Sequence, residues 1–460
     1  MYEKAPRPAY PHYGVNFRGL HFMWYRPKHL TPGFRRITGT SPKSVAREST
    51  ENLKGLEHNL LFITGGIQMD NFIYETPTKV YFGKGEELKV GKLVAAFKPV
   101  RVLLHYGRGS AEKSGLLNTV RNYLNEEGIP FTELGGVVAN PELKLVREGI
   151  SLCQKEGIDF ILAVGGGSVM DSAKDIANGV ANPDVDVWDF SLGKAVPAGT
   201  LNKGAILTLS AAGSEMSNSC VITNSETHEK RGYGCSANRM NFAIENPELT
   251  YSVNAYQTAC GAVDIAMHTI ERYFCPGEDT YLTDSIAEAV IKSVMKAGTD
   301  CLKNPTDYVA RANMMWASSL AHNGLTQCGR SFQLTVHQFE HEVSGLYPNV
   351  AHGAGLAALW CSWARYTYKA NINRWLQYST NVWNLDIDFE HPEVTIGNAI
   401  DLQENYYRSI GMPTSLSELG VKETDLETLA LMCSRNKTRI LNGYMKLGFD
   451  EMLDIYRLAL

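Results

Sequence analysis

Hydrophobic positions along the chain follow two regimes that meet near residue 250. Between Met69 and about Thr250, short apolar runs alternate with stretches of helical period. Val100–His105 (VRVLLH), Phe160–Val164 (FILAV) and Ala205–Leu209 (AILTL) read as strands. Leu116, Leu117, Val120 and Leu124 recur at helical spacing after the first of them. Continuous apolar strands separated by helices predict a parallel sheet covered on both faces. From about Asn254 the strand signal fades, and 254–274, 281–303 and 307–323 carry helical period. Breakers there are sparse: Pro276–Gly277, Pro305, Pro348, Pro392 and Pro413. The pattern predicts an α/β domain over 69–250 and an all-helical domain over 251–460, with a ligand cleft between them.

Residues 1–68 differ from both. They hold ten Lys and Arg against four Glu, with prolines and aromatics interspersed without period. The segment has no signal-peptide pattern. It reads either as an Arg-rich targeting segment or as the product of a start assigned too early, with Met69 as the true start. The folded-domain pattern begins at once after Met69 (MDNFIYETPTKVYFGKGE), which favours the second reading.

The net charge of −5 offers nothing to a polyanion, so nucleic-acid binding has no electrostatic support. No apolar run approaches the roughly 20 residues of a membrane span. The nine cysteines are scattered, with no CxxC pair. That usage fits reduced thiols in a cytoplasm.

Two glycine-containing turns carry candidate chemistry. Gly165-Gly166-Gly167-Ser168 follows the FILAV strand and opens a helix. Glycines let a backbone approach a pyrophosphate closely, and free N–H groups at a helix start favour its charge. The segment is neither a Walker A loop nor GxGxxG, so dinucleotide binding and a plain turn both remain open. The second turn, Tyr106-Gly107-Arg108-Gly109-Ser110, follows the first strand. In a doubly wound sheet this position faces the adenosine end of a dinucleotide. A carboxylate there would bind a ribose 2′-hydroxyl, yet none occurs before Glu112, and Arg108 can pair with a phosphate. The balance favours NADP(H), with NAD(H) as the alternative.

A second group of residues has metal-ligand character. Asp264 and His268 are four apart in a helical stretch, as are His337 and His341, and His352 opens HGAGLA after a short loop. One carboxylate with several imidazoles suits Zn²⁺ or Fe²⁺ better than Mg²⁺ or Ca²⁺. HEVSG is not HExxH, because Gly345 stands where the second His would be, so the metalloprotease motif is absent. A core or capping role for each histidine taken singly competes with the ligand reading.

From Asp70 to the C-terminus the chain resembles the iron-containing alcohol dehydrogenase family, in particular its NADPH-dependent butanol dehydrogenase-like branch of aldehyde reductases. The resemblance rests on GKG near residue 83, ANP at 139–141, GGGSVMDSAK at 165–174, LTLSAAGSE at 207–215, GAVDIAMH at 261–268, and HQFEHEVSGLY followed by HGAGL. It implies an N-terminal Rossmann-like dinucleotide-binding α/β domain and a C-terminal helical metal-binding domain. It implies Asp264, His268, His337 and His352 as metal ligands and His341 as a proton relay. Gly166, Gly167, Ser168 and Asp171 match pyrophosphate and nicotinamide contacts. Gly109 and Ser110 match the place where the branch meets the 2′-phosphate. Asn140, Thr208, Ser214 and Lys230 are further cofactor candidates. Three features depart from the family pattern: Ala212 stands where Thr is frequent, Arg108 stands where Gly is frequent, and the interval from His337 to His352 is one residue longer than the family's, with Pro348 and Asn349 in the loop.

The resemblance implies reversible conversion of aldehyde and NAD(P)H to primary alcohol and NAD(P)⁺, with a divalent Fe²⁺ or Zn²⁺ as Lewis acid. It implies a homodimer and a small aldehyde or alcohol as partner. Competing readings are a glycerol-type polyol dehydrogenase, a dehydroquinate-synthase-like lyase on the same two-domain plan, and a non-catalytic metal-binding relative.

Overall fold

The computed structural model describes residues 69–460 apart from Glu278. The expectations for 1–68 therefore lie outside the described residues.

The α/β lobe is built on a six-stranded sheet. Its strands are β1 (Lys79–Phe82), β2 (Val102–Gly107), β3 (Phe131–Val137), β4 (Phe160–Gly165), β5 (Asn202–Leu207) and β8 (Phe242–Glu245), in the order β1-β8-β5-β4-β2-β3. Every neighbouring pair is parallel. The three strands expected from sequence are present: the one expected at 100–105 starts two residues later, the one at 160–164 starts in place, and the one at 205–209 starts three residues earlier. Alternate side chains of one strand go to opposite faces. Leu103, Ile161 and Ala163 join a core with Val146 and Ile176, whereas Val102, Leu104, Phe160 and Leu162 join another with Val94, Leu117 and Val120. Those helical residues lie on α1 (Val90–Ala95), α2 (Leu116–Glu126), α3 (Leu143–Glu156) and α4 (Gly167–Ala181). Both faces are thus covered, which explains why β4 is buried along its whole length.

The strand order reverses at β2. The chain passes from β2 outward to β3, then returns to the other side of β2 as β4. A crevice forms beyond the carboxyl ends of the two strands that flank such a switch point. Both glycine-containing turns stand there.

An antiparallel ribbon of β6 (Ser219–Asn224) and β7 (Glu229–Gly234) leaves the sheet lobe between β5 and β8. It is legible only afterwards, in the alternating burial of Cys220 and Ile222.

The helical lobe begins with α5 (Ala255–Tyr273) and continues through α6 (Tyr281–Lys303), α7 (Tyr308–His322), α8 (Thr335–Leu346), α9 (His352–Thr367), α10 (Ile372–Trp383), α11 (Pro392–Ser409), α12 (Leu426–Cys433) and α13 (Phe449–Leu458). The first three coincide with the helical periods in the sequence. Side-chain caps fix several starts: Asn254 accepts from the Gln257 N–H at 2.8 Å and Asp307 from that of Ala310 at 3.0 Å. One expectation needs correction, because the lobe is not wholly helical. Leu441–Asn442 and Lys446–Leu447 pair antiparallel across a Gly443-containing turn. Two residues per strand are too few for hydrophobic period to register.

Helix α5 is the axis of the lobe. Every residue from Thr258 to Tyr273 is buried. A helix buried on all sides is ordinarily apolar all round. Asp264, His268, Glu271 and Arg272 break that rule, and they mark the site. Gly353 lets α9 press on this helix: a Cβ there would lie 2.2 Å from the Cys260 carbonyl oxygen. Any side chain at 353 would push the two backbones apart.

Candidate active site: a histidine–aspartate metal centre

Asp264, His268 and His337 bring ligand atoms within 4.8 Å of one another between α5 and α8, and His352 at the start of α9 approaches the same Asp264 oxygen. From Asp264 Oδ1, the Nε2 atoms of His268 and His337 are each 3.5 Å away and that of His352 is 3.8 Å away. Ligands about 2.1 Å from a tetrahedral ion are separated by roughly 3.4 Å. The spacing therefore leaves room for one ion and for little else. Asp264 Oδ1 and His337 Nε2 are buried with no hydrogen-bond partner among the described residues. Such orphaned atoms are costly unless a cation satisfies them. The N₃O donor set suits Fe²⁺ or Zn²⁺, so the residues fit the metal implied by the sequence.

Protonation fits as well. Burial pushes His268 well below the ordinary imidazole value, with neighbouring His322 and His337 adding to the effect. Its lone pair is free for a metal. Burial also acts to lower His337, but Glu271 and Asp264 outweigh it and hold the ring at about 9. A divalent cation bound among these groups would take the place of that proton.

Carboxylates orient two of the three imidazoles from behind. His337 Nδ1 donates to Glu271, which also accepts the His337 backbone N–H at 3.1 Å. His352 Nδ1 donates to Glu340, which Lys230 Nζ approaches at 3.2 Å. Burial works against ionising Glu340, but His352 and Lys230 keep it well below the usual carboxylate range. Such outer carboxylates fix ring orientation and raise ligand basicity. His268 is the exception. Its Nδ1 faces Arg272 Nη1 at 3.4 Å, and its ring lies against His322 with centroids 4.0 Å apart.

His341 stands outside the Asp264–His268–His337 group and, with Glu340 and His352, forms a second set of potential donor atoms within 4.8 Å of one another. Its ring centroid lies 6.5 Å from that of His337 and 5.7 Å from that of His352. It lines the same cavity, as the i,i+4 neighbour of His337 on α8. The loop before His352 contains a turn in which the Val350 N–H bonds the Tyr347 carbonyl at 2.9 Å. His352 still opens α9 and still reaches Asp264.

The tetrad lines a cavity of about 840 Å³ that extends to the sheet lobe. Asn140, Gly167, Ser168, Asp171, Ser214 and Lys230 line it too. Gly166 and Thr208 stand just behind, at the ends of β4 and β5, where the Thr208 N–H bonds the Gly165 carbonyl at 3.0 Å. Gly109 and Ser110 stand at the end of β2. Asp171 has its carboxylate already engaged, by Ser214 Oγ at 2.6 Å and the Val221 N–H at 3.0 Å, with Lys174 at 3.4 Å. It shapes the turn as a fixed anchor. Lys230 reaches past the sheet lobe to Glu340, a contact the sequence did not suggest.

Sequence reasoning also missed Glu271, Glu340, Arg272 and His322. Glu271 and Glu340 each lie three residues after a ligand, on the same helix face, and that spacing is a usable signal. His322 lies far away in sequence and carries none.

The chain is similar to known families and proteins over nearly all of its described length. Residues 77–247 match the family described as iron-containing alcohol dehydrogenase, and residues 258–460 match the C-terminal part of the Fe-containing alcohol dehydrogenase family. The chain is 38% identical to NADH-dependent butanol dehydrogenase A of Clostridium acetobutylicum, over 85% of this chain and 99% of that protein. It is 33% identical to the NADPH-dependent aldehyde reductase YqhD of Escherichia coli, over 85% of this chain and 100% of that protein. The crystal structure of NADH-dependent butanol dehydrogenase A from Thermotoga maritima superposes with a TM-score of 0.81 at 34% identity, covering 85% of this chain and 99% of that one. With a switch-point crevice on one lobe and a three-histidine, one-aspartate centre on the other, the chain belongs to the iron-containing alcohol dehydrogenase family.

Proposed function

We infer that the protein interconverts an aldehyde and its primary alcohol, exchanging hydride with a nicotinamide cofactor and holding one divalent metal on Asp264, His268, His337 and His352. The observation that carries this reading is that one cavity joins the tetrad to the Gly167–Ser168 turn. When bound, the metal supplies Lewis acidity and the nicotinamide supplies the hydride.

The chain's own residues do the rest. Gly166, Gly167 and Ser168 present backbone N–H groups at the start of α4, a favourable seat for a pyrophosphate. Asn140, Asp171, Thr208 and Ser214 border the path from there toward the tetrad. His341 lies beside the ligands without joining them, which suits it to carry a proton to or from the product oxygen. Burial lowers its basicity strongly, with Lys230 and His352 adding to that effect.

For the cofactor we propose NADP(H) ahead of NAD(H). Arg108 is exposed at the end of β2 beside Gly109 and Ser110. The nearest downstream carboxylate, Glu112, is clamped by Arg121 through contacts of 2.9 and 2.8 Å. It is not free to take a ribose hydroxyl. The named relatives include both NADH- and NADPH-dependent enzymes. For the metal, Fe²⁺ and Zn²⁺ accept the same ligands. A homodimer rests on the family resemblance. A cytoplasmic setting is supported by nine cysteines that are all free. No helix among the described residues is long and apolar enough to cross a membrane.

The test compares NADPH oxidation with butanal against glycerol oxidation with NAD⁺, on protein of measured metal content. Butanal reduction is expected to dominate. Faster glycerol turnover would favour a polyol dehydrogenase, and silence in both assays would overturn the reading.

A further inference from the structure

Arg272 has no acidic partner, although it is fully buried on α5 one turn beyond His268. Its Nη1 donates to the His268 carbonyl at 2.6 Å, its Nε to Gln327 Oε1 at 3.2 Å, and its guanidinium lies 5.0 Å over the Phe332 ring. No salt bridge to it occurs among the described residues. The adjacent Glu271 is committed to His337. Nη2 makes no hydrogen bond among the described residues, and Arg272 lines the cavity. A buried, uncompensated guanidinium is costly unless something anionic meets it.

The three ligand histidines sharpen the point. A neutral imidazole bound through Nε2 carries its proton on Nδ1 and needs an acceptor there. Glu271 serves His337 and Glu340 serves His352. Behind His268 stands another donor, Arg272. Two donors face each other at a place where the other two rings have a carboxylate.

We propose that the missing carboxylate belongs to the substrate: the enzyme takes short oxo acids, with the aldehyde at the metal tetrad and the carboxylate on the free edge of Arg272. This rests on the aldehyde reductase reading above. The carboxylate passes through unchanged. Hydride goes from the cofactor to the carbonyl carbon and a proton goes to its oxygen, leaving a hydroxy acid and the oxidised cofactor. Arg272 lies only one imidazole ring from the ligand cluster, so a chain of about four or five carbons suffices to reach both.

Wild-type enzyme is compared on 4-oxobutanoate, 5-oxopentanoate, their methyl esters and butanal. At least one free acid should exceed its ester in kcat/KM by about tenfold or more, the range of a charge-assisted pair in a dry site. In Arg272→Gln the acid-to-ester ratio should fall to near one, and Arg272→Lys should retain part of it. Taken within one preparation, the ratio does not depend on how much metal a variant holds. Independently of turnover, calorimetry on metal-free wild-type protein should detect 4-hydroxybutanoate binding that weakens at least tenfold in Arg272→Gln. Reduction of butanal with no preference for either acid, or a preference that survives in Arg272→Gln, would overturn the proposal and leave the aldehyde reductase reading intact. Failure to reduce any of the five aldehydes would overturn both.

Discussion

Lys230 Nζ and Glu340 Oε2 meet at 3.2 Å across the junction of the two lobes. The lysine comes from the β6–β7 ribbon and the glutamate from α8, and both are buried. Glu340 in turn receives His352 Nδ1. A residue that the sequence places among cofactor contacts thus supports a metal ligand through one intermediary. Lys230→Met should weaken metal affinity by about tenfold or more, the usual cost of losing an outer-sphere partner. Lys230→Arg should restore most of it. Competition with a chromogenic chelator measures both.

The tetrad and His341 are predicted to behave differently. His268→Ala should lose both metal and aldehyde reduction. His341→Ala should keep stoichiometric metal and lose rate by about 10²–10⁴, the span of general acid–base catalysis. Metal analysis and kcat on the same samples separate the two. A His341 variant without metal would make that residue a ligand after all.

Asp175 gives the fold a pH dependence of its own. It lies fully buried on α4, accepts the Tyr233 hydroxyl at 2.8 Å, and has its second oxygen unpartnered. Burial pushes its carboxyl up to about 8, against the opposing Tyr233 hydrogen bond. Between about pH 4 and pH 8 the native state keeps a proton that the unfolded chain releases. Its stabilising contribution is full at the acid end of that window and is lost as pH rises through it. Urea melts of Asp175→Asn should show less decline from pH 5 to pH 8 than wild type, by an amount on the order of a few kcal/mol. Parallel curves for the two proteins would remove Asp175 from the account.

Cofactor choice can be redirected at the end of β2. Ser110→Asp places a carboxylate where a ribose 2′-hydroxyl would lie and repels a 2′-phosphate. The NADPH-to-NADH ratio of kcat/KM should drop by an order of magnitude or more. Arg108→Ser should move it the same way, less far. An unchanged ratio in both variants would place the adenosine end elsewhere.

The sheet lobe and the long helices were legible because their signals are local. FILAV is buried on both faces of β4 and reads as one apolar run. Helix α5 carries Asp264 and His268 four residues apart, so one turn brings them to one face. The ribbon was not legible, since Lys230 and Arg231 interrupt its alternation to serve Glu340 and Glu342 on the other lobe. Arg272 was unreadable for a related reason. Its meaning lies in what is absent around it, and only three-dimensional packing reveals a missing partner. His322 meets His268 solely because α7 crosses α5.

Gly353, where α9 touches the Cys260 carbonyl, acts as a distance standard for the centre. The separation of α9 from α5 there is set by backbone atoms in contact, whose dimensions do not vary with sequence. Substitutions among the surrounding apolar side chains can therefore accumulate without drifting the His352–Asp264 spacing. The core is free to evolve, while the coordination geometry is held by a hydrogen atom in place of a methyl group.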